Sequence, residues 1–263
     1  NTILYHLNVM VWKMQISIIS FPIFLIVFFF TDTILATTST IQTFNNVKWS
    51  DWDGRQVCYP SEFIQPKTIS EVVNIVKNAN ANNQQVKVVG SGHSFSPITL
   101  TSADRSNAIL LNLDYLNELI SVQAQNVTVQ AGIRVHDLNT KLLAKGYALE
   151  NTGAIAMQSV AGATQTGTHG TGKNLGSMST QILHFKLLLS NGTIINVDSN
   201  HNSDIFYAGR VGLGSLGIML ETTLTIVPKF KLKRTAMPYS LKQLLIDLPN
   251  LYDKYERMQW YCK

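Results

Sequence analysis

The chain has 263 residues, of which 45% are hydrophobic and only 14% charged. That excludes a disordered chain, because enough apolar surface is present to build a core for one large domain or two modest ones. The net charge of +5 comes from scattered Lys and Arg, with no dense basic tract and no basic helix interleaved with aromatics, which argues against a nucleic-acid partner. A mildly basic surface suits an anionic cofactor or an anionic membrane face and does not choose between them. Two cysteines, Cys58 and Cys262, are too few for a disulfide framework or a four-thiolate zinc site, so both read as free thiols and no metal site is expected.

Residues 16–30 read ISIISFPIFLIVFFF, almost wholly apolar, with Lys13 before and Asp32 after. A run of this length fits a signal-peptide core. With Met14, Gln15 and Thr31 it approaches the roughly 20 apolar residues of a membrane span, in which Pro22 is tolerated. Ala36, Thr37, Thr38 and Ser39 offer an imperfect cleavage zone. The expectation is an apolar N-terminal helix over residues 1–40, acting as a signal peptide or, through residues 14–31, as a membrane anchor. The chain would then enter the secretory pathway, to be held in the endoplasmic reticulum membrane or secreted. Since the sequence opens on Asn1, Met10 and Met14 are candidate initiators. Two glycosylation sequons, at Asn126 and Asn191, agree with that route.

Residues 42–60 carry Trp49, Trp52 and turn residues and read as an opening loop. Thr68 and Glu71 form a capping box, so a helix is expected from there to about Asn80, with Val72, Val73, Ile75 and Val76 on its apolar side. Residues 86–89 make a short strand that Gly90, Ser91 and Gly92 terminate. Residues 108–111, 119–122 and 127–130 are apolar or β-branched and separated by polar turns, so each predicts a strand. A second helix is expected over 135–144, stopped by Gly146. Residues 184–189 and 193–197 flank Ser190, Asn191 and Gly192, and an Asn-Gly pair between apolar runs signals a hairpin. Residues 205–208 start a short helix, 212–217 form a glycine-spaced turn, and 218–227 alternate as a long strand that Pro228 ends. Residues 241–248 predict a last helix. Helices alternate with short, mostly antiparallel-looking strands rather than regular β–α–β units, so the fold class is α+β.

Three stretches carry chemistry. In the first, VVGSGHSFS at 88–96, glycines directly after a strand let the backbone turn tightly and present successive N–H groups to an anion such as a pyrophosphate. A Rossmann fingerprint needs a third glycine and a helix, which Pro97 disfavours, and a P-loop needs Gly-Lys-Ser/Thr. Taken alone, the loop serves equally as an ordinary turn, and His93 within it either bonds the loop backbone or faces a bound cofactor. The second, SVAGATQTGTHGTG at 159–172, has too little bulk for core; its small side chains let the backbone approach a flat ligand, while the alternative, a flexible linker, fits poorly because Ala161, Ala163 and the ordered glycine spacing suggest close packing. The third, GLGSLGI at 212–218, opens the last strand.

In this order and spacing, VKVVGSGHSFSPI, QAGIRVHDLNTKL, QSVAGATQTGTHGTG and GLGSLGIMLETTLTIVP resemble the FAD-binding domain of the vanillyl-alcohol-oxidase (PCMH) type, a two-subdomain fold, and more narrowly the aldonolactone oxidases. The resemblance covers about Trp49 to Pro228. It implies a domain at 41–228 that binds FAD. Gly90, Ser91, Gly92, His93 and Ser94 would hold the pyrophosphate, and His93 would bond covalently to the flavin 8α-methyl carbon. Ser159, Gly162, Ala163, Thr166, Gly167, His169 and Gly170 match the second FAD-contacting stretch, and Ile218 a position near the adenine. The implied reaction takes hydride from a ring carbon of a sugar 1,4-lactone and returns the electrons to O₂, giving H₂O₂ and ascorbate or an analogue.

Family members carry a substrate domain with a His-Trp motif after the flavin domain. Residues 229–263 resemble only its start, so no catalytic substrate residue carries over and the chain is expected to be a fragment. Two alternatives stay open: a flavin oxidase of another alcohol or amine, and a non-catalytic, membrane-tethered FAD-binding remnant.

Overall fold

The computed structural model describes residues 41–101 and 107–261. The expected N-terminal apolar helix and Cys262 lie outside them. Among the described residues no helix is long and apolar enough to cross a membrane.

The opening loop carries short strands: β1 (Gln42–Asn45), β2 (Trp49–Ser50) and β3 (Val57–Cys58), followed by β4 (Glu62–Gln65). β2 and β3 form a tight antiparallel ribbon, and Cys58 on it is a buried free thiol. Helix α1 (Ile69–Ala81) begins where expected. The Thr68 hydroxyl accepts the Glu71 N–H at 3.2 Å, and the Glu71 carboxylate accepts the Thr68 N–H at 3.1 Å. Spacing at three and four residues buries Val72, Ile75, Val76 and Ala79 together. Next come β5 (Val86–Val89) and β6 (Ile109–Asn112).

These strands form a sheet of order β1-β4-β6-β5, in which β4 and β5 both run parallel to β6 and β1 is antiparallel to β4. The antiparallel pairing read from the sequence therefore fails here: β4, α1 and β5 make one β–α–β crossover with β6 inserted between the strands. All four residues of β6 are buried, so its sequence, ILLN, carries no alternation from which a partner could be read.

The antiparallel expectation holds for the second sheet. It contains β7 (Leu119–Gln123) and β8 (Asn126–Gln130); then follow α2 (Val135–Ala144), the bridging strand β9 (Tyr147–Ala148) and α3 (Val160–Gln165). β10 (Ile182–Leu188) and β11 (Ile194–Asp198) return to the sheet, followed by α4 (Ser203–Gly209), the long β12 (Ile218–Thr225) and β13 (Val227–Pro228), which pairs with β9. The strand order is β11-β10-β12-β8-β7, antiparallel throughout. β10 and β11 form the hairpin that Asn191 and Gly192 announce, with Gly192 at φ +82°. Of the two sequons, Asn126 opens a strand paired on both sides, while Asn191 sits on the exposed hairpin tip.

One buried cluster joins Val72 and Ile75 of α1 to Val127 and Val129 of β8, Leu138 and Leu142 of α2, and Phe185 and Leu220 of the second sheet. Helix α5 (Leu241–Lys254) runs further than expected and tolerates Pro249 inside it. Beyond it, Arg257 ties the chain back: its Nη1 donates to Asn151 Oδ1 and its Nη2 to the Glu150 carbonyl, both at 3.0 Å.

Candidate functional site: a glycine-walled cleft

β5 ends at Val89, and the chain turns through Gly90, Ser91, Gly92, His93 and Ser94, all on the wall of a cleft of about 670 Å³. Only glycine fits two of these positions. A β-carbon on Gly90 would stand 2.5 Å from Ser159 Oγ; one on Gly92, whose φ is +70°, would stand 3.2 Å from Asp51 Cα. The loop is pressed between the start of α3 and the turn that carries Trp52, whose N–H donates to the Gly92 carbonyl at 2.9 Å.

Among the described residues, the N–H groups of Ser91, Gly92, His93 and Ser94 meet no protein acceptor. These residues are half-buried, where backbone donors need a partner. A row of consecutive free N–H groups in a glycine turn is a cradle for an anion, which fits the pyrophosphate of a dinucleotide.

The second wall is α3. Ser159 caps it by accepting the Gly162 N–H at 3.2 Å. The helix turns Val160, Ala163 and Thr164 into the core, each at 0% exposure, and Ala161, Gly162, Gln165 and Thr166 to the cleft. The stretch is thus part core, contrary to its small-residue look, because helical spacing divides it into two faces. Beyond Thr166 the chain leaves the cleft. Gly167, at φ +69°, reverses it. His169 is exposed, its Nδ1 3.0 Å from the Gly170 carbonyl. Gly170 is pressed on Asn151, where a β-carbon would come 2.1 Å from Oδ1. So Ser159, Gly162 and Thr166 line the cleft, whereas Ala163, Gly167, His169 and Gly170 do not.

The third glycine stretch also lines the cleft, through residues 213–217, as does Ile218 after it. It is held there by Gln165, which the sequence did not single out. The Gln165 carboxamide donates to the Gly209 carbonyl at 2.6 Å and accepts the Gly214 N–H at 3.3 Å, and its own carbonyl accepts the Leu213 N–H at 3.2 Å. Leu213 and Gly214 both take positive φ to meet it. Asn80, Gln84, Ser190 and Asn191 line the cleft as well. The only sequence signal for Gln165 was a long amide among residues otherwise chosen for smallness.

His93 reaches the cleft wall with its ring beside that of Trp52, centroids 5.2 Å apart. Burial, and then the Arg134 guanidinium, hold its imidazole below the usual histidine range, so the ring favours its neutral, nucleophilic form. Arg134 is itself paired with Asp114, a cleft residue. Among the described residues no group of three or more His, Cys, Asp or Glu is placed to hold a metal ion.

Residues 60–198 match the family described as FAD binding domain. The chain is 36% identical over 225 residues to L-gulonolactone oxidase of Bos taurus, covering 84% of this chain and 50% of that one. It is 34% identical to D-arabinono-1,4-lactone oxidase of Kluyveromyces lactis, covering 82% and 42%, and 33% identical to L-gulono-1,4-lactone dehydrogenase of Mycobacterium tuberculosis, covering 81% and 48%. The chain thus spans about half the length of the curated relatives it matches. Among solved structures, cholesterol oxidase from Brevibacterium sterolicum superposes with a TM-score of 0.63 at 19% identity, over 72% of this chain and 38% of that one, a likeness of fold.

Proposed function

The chain belongs to the FAD-binding-domain family, and on that premise we propose that it is the flavin-holding part of an oxidoreductase acting on a sugar 1,4-lactone of the L-gulono or D-arabinono type. Bound FAD would supply the two-electron chemistry: hydride acceptance from a lactone ring carbon and reoxidation by dioxygen, with ascorbate or an analogue and hydrogen peroxide as products.

The protein's part is binding and orientation. The N–H groups of Ser91, Gly92, His93 and Ser94 hold the pyrophosphate, and the glycine and alanine face of α3 admits the flat ring system. Gln165 keeps the loop at residues 213–217 against it. His93 would be the covalent anchor, its ring nitrogen joined to the flavin 8α carbon; that link would release one hydrogen from the imidazole and one from the methyl group, with dioxygen as the two-electron acceptor that becomes hydrogen peroxide. The apolar run at residues 16–30 directs this domain to the secretory pathway, as a cleaved signal or an endoplasmic reticulum anchor.

The observation that carries this reading is the run of N–H groups at residues 91–94, without a protein acceptor among the described residues, on the wall of a cleft that three glycine stretches help to line. Chain purified from riboflavin-supplemented cells is expected to be yellow, with a denatured band that fluoresces on a gel, and His93→Ala is expected to abolish the band fluorescence. A colourless chain that takes up no FAD overturns the reading; fluorescence surviving in His93→Ala overturns the anchor alone.

A further inference from the structure

We infer that Trp52 is a positioning residue for His93, its indole holding the imidazole in the orientation from which it joins the flavin; this rests on the anchor role proposed above. The backbone around Trp52 is fixed twice over. Its turn is closed by Asp51 N–H to the Gln56 carbonyl at 3.0 Å and by Gly54 N–H to the Asp51 carbonyl at 3.2 Å. The buried Asp51 carboxylate accepts the Gln56 N–H at 3.0 Å. The turn is then locked to the glycine loop by the Trp52 N–H on the Gly92 carbonyl at 2.9 Å, one residue before His93. With both backbones held, the two rings lie 5.2 Å apart between centroids, with planes 34° from parallel.

The residue type is what calls for a role. Trp52 keeps 65% of its surface in water, so it contributes little as a core residue, and a polar residue would serve this turn as well. A broad ring packed on the imidazole removes rotamers that His93 would otherwise visit. His93 lines the cleft and Trp52 does not, so the indole constrains the imidazole from outside and leaves it available to whatever the cleft holds. Bond formation between two held groups depends steeply on such orientation.

The test is the rate of attachment in the full chain. Apoprotein from riboflavin-starved cells is mixed with FAD in air, and covalent flavin is followed as gel-band fluorescence while total bound FAD is measured by absorbance. Trp52→Ala is expected to bind the same FAD but to attach it about three- to tenfold more slowly, the range of an aromatic pair. Trp52→Phe, which keeps a ring, is expected to restore the rate. Attachment at the wild-type rate in Trp52→Ala overturns the inference, as does a Trp52→Phe chain no faster than Trp52→Ala. Should Trp52→Ala take up no FAD, Trp52→Leu replaces it: slower attachment than in Trp52→Phe supports the inference, and equal rates overturn it. A wild-type chain that binds FAD without attaching it sinks the anchor role of His93 instead, so the two failures are told apart.

Discussion

Gly90 and Ser159 touch across the cleft wall: a β-carbon on the glycine would stand 2.5 Å from the serine Oγ, which also caps α3. The contact joins the first two glycine stretches into one surface. Gly90→Ala must push Ser159 off its cap or push the loop outward. Overpacking of this kind costs about 1–3 kcal/mol. Denaturant unfolding is expected to show that loss, FAD titration a weaker complex, and Ser159→Gly in the same chain a partial recovery of both. Unchanged unfolding and affinity in Gly90→Ala would show that the wall is looser than described.

His93 gives a pH dependence with a definite sign. Its folded pKa lies below the ordinary value of 6.5, through burial first and the Arg134 charge second. As pH falls below 6.5, the unfolded chain takes up this proton before the folded one does. Stability is therefore full above that value and declines until the folded pKa is passed. Arg134→Met removes the charge and should raise the folded pKa, narrowing the window of decline. On the anchor role proposed for His93, the same shift should move the midpoint of the attachment rate upward, because only a neutral ring would attack. An NMR titration of His93 in both chains measures it; a pKa that falls or stays put in Arg134→Met contradicts the assignment of the Arg134 charge.

The C-terminal segment offers a contrast away from the cleft. Arg257 bonds Asn151 and Glu150 and lies over the Phe230 ring at 5.6 Å. Arg257→Met is expected to cost about 1–3 kcal/mol locally, since a charged donor leaves a part-buried Asn151 oxygen behind. Limited proteolysis should then cut near Lys254 faster while FAD affinity is kept. Equal cutting rates would mean that the segment is held by something other than this arginine.

What the sequence made legible was local. The Asn191-Gly192 hairpin, the Thr68–Glu71 cap and the Gly90–Ser94 turn each depend on neighbours within a few residues, and each is found. The parallel set β4-β6-β5 was hidden, because a strand buried on both faces has no alternation and its partners are chosen in three dimensions. In the site, Ala163 was grouped with Gly162 because both match the family's second FAD-contacting stretch, but they stand on different faces of a helix that a glycine-rich run did not announce. Trp52 was visible only as part of an opening loop, since its partner His93 is brought up by a backbone contact with Gly92.

Gln165 shows how one amide can govern a wall it barely belongs to. Its side chain bonds Gly209 and Gly214 while its carbonyl bonds Leu213, so removing the amide frees one end of a loop that already holds three positive φ angles, at Leu213, Gly214 and Gly217. Gln165→Ala gives up two hydrogen bonds, each contributing about 0.5–1.5 kcal/mol. The loop at residues 213–217 packs against the cleft rather than the core centre, so most of that loss should fall on ligand binding. FAD affinity is expected to drop about tenfold, with a smaller change in unfolding, and Gln165→Glu, which sets a carboxylate against the Gly209 carbonyl and on the wall of an anion-binding cleft, should fall at least as far. If Gln165→Ala binds FAD as the wild type does, the loop is held by its own glycine geometry and the amide is incidental.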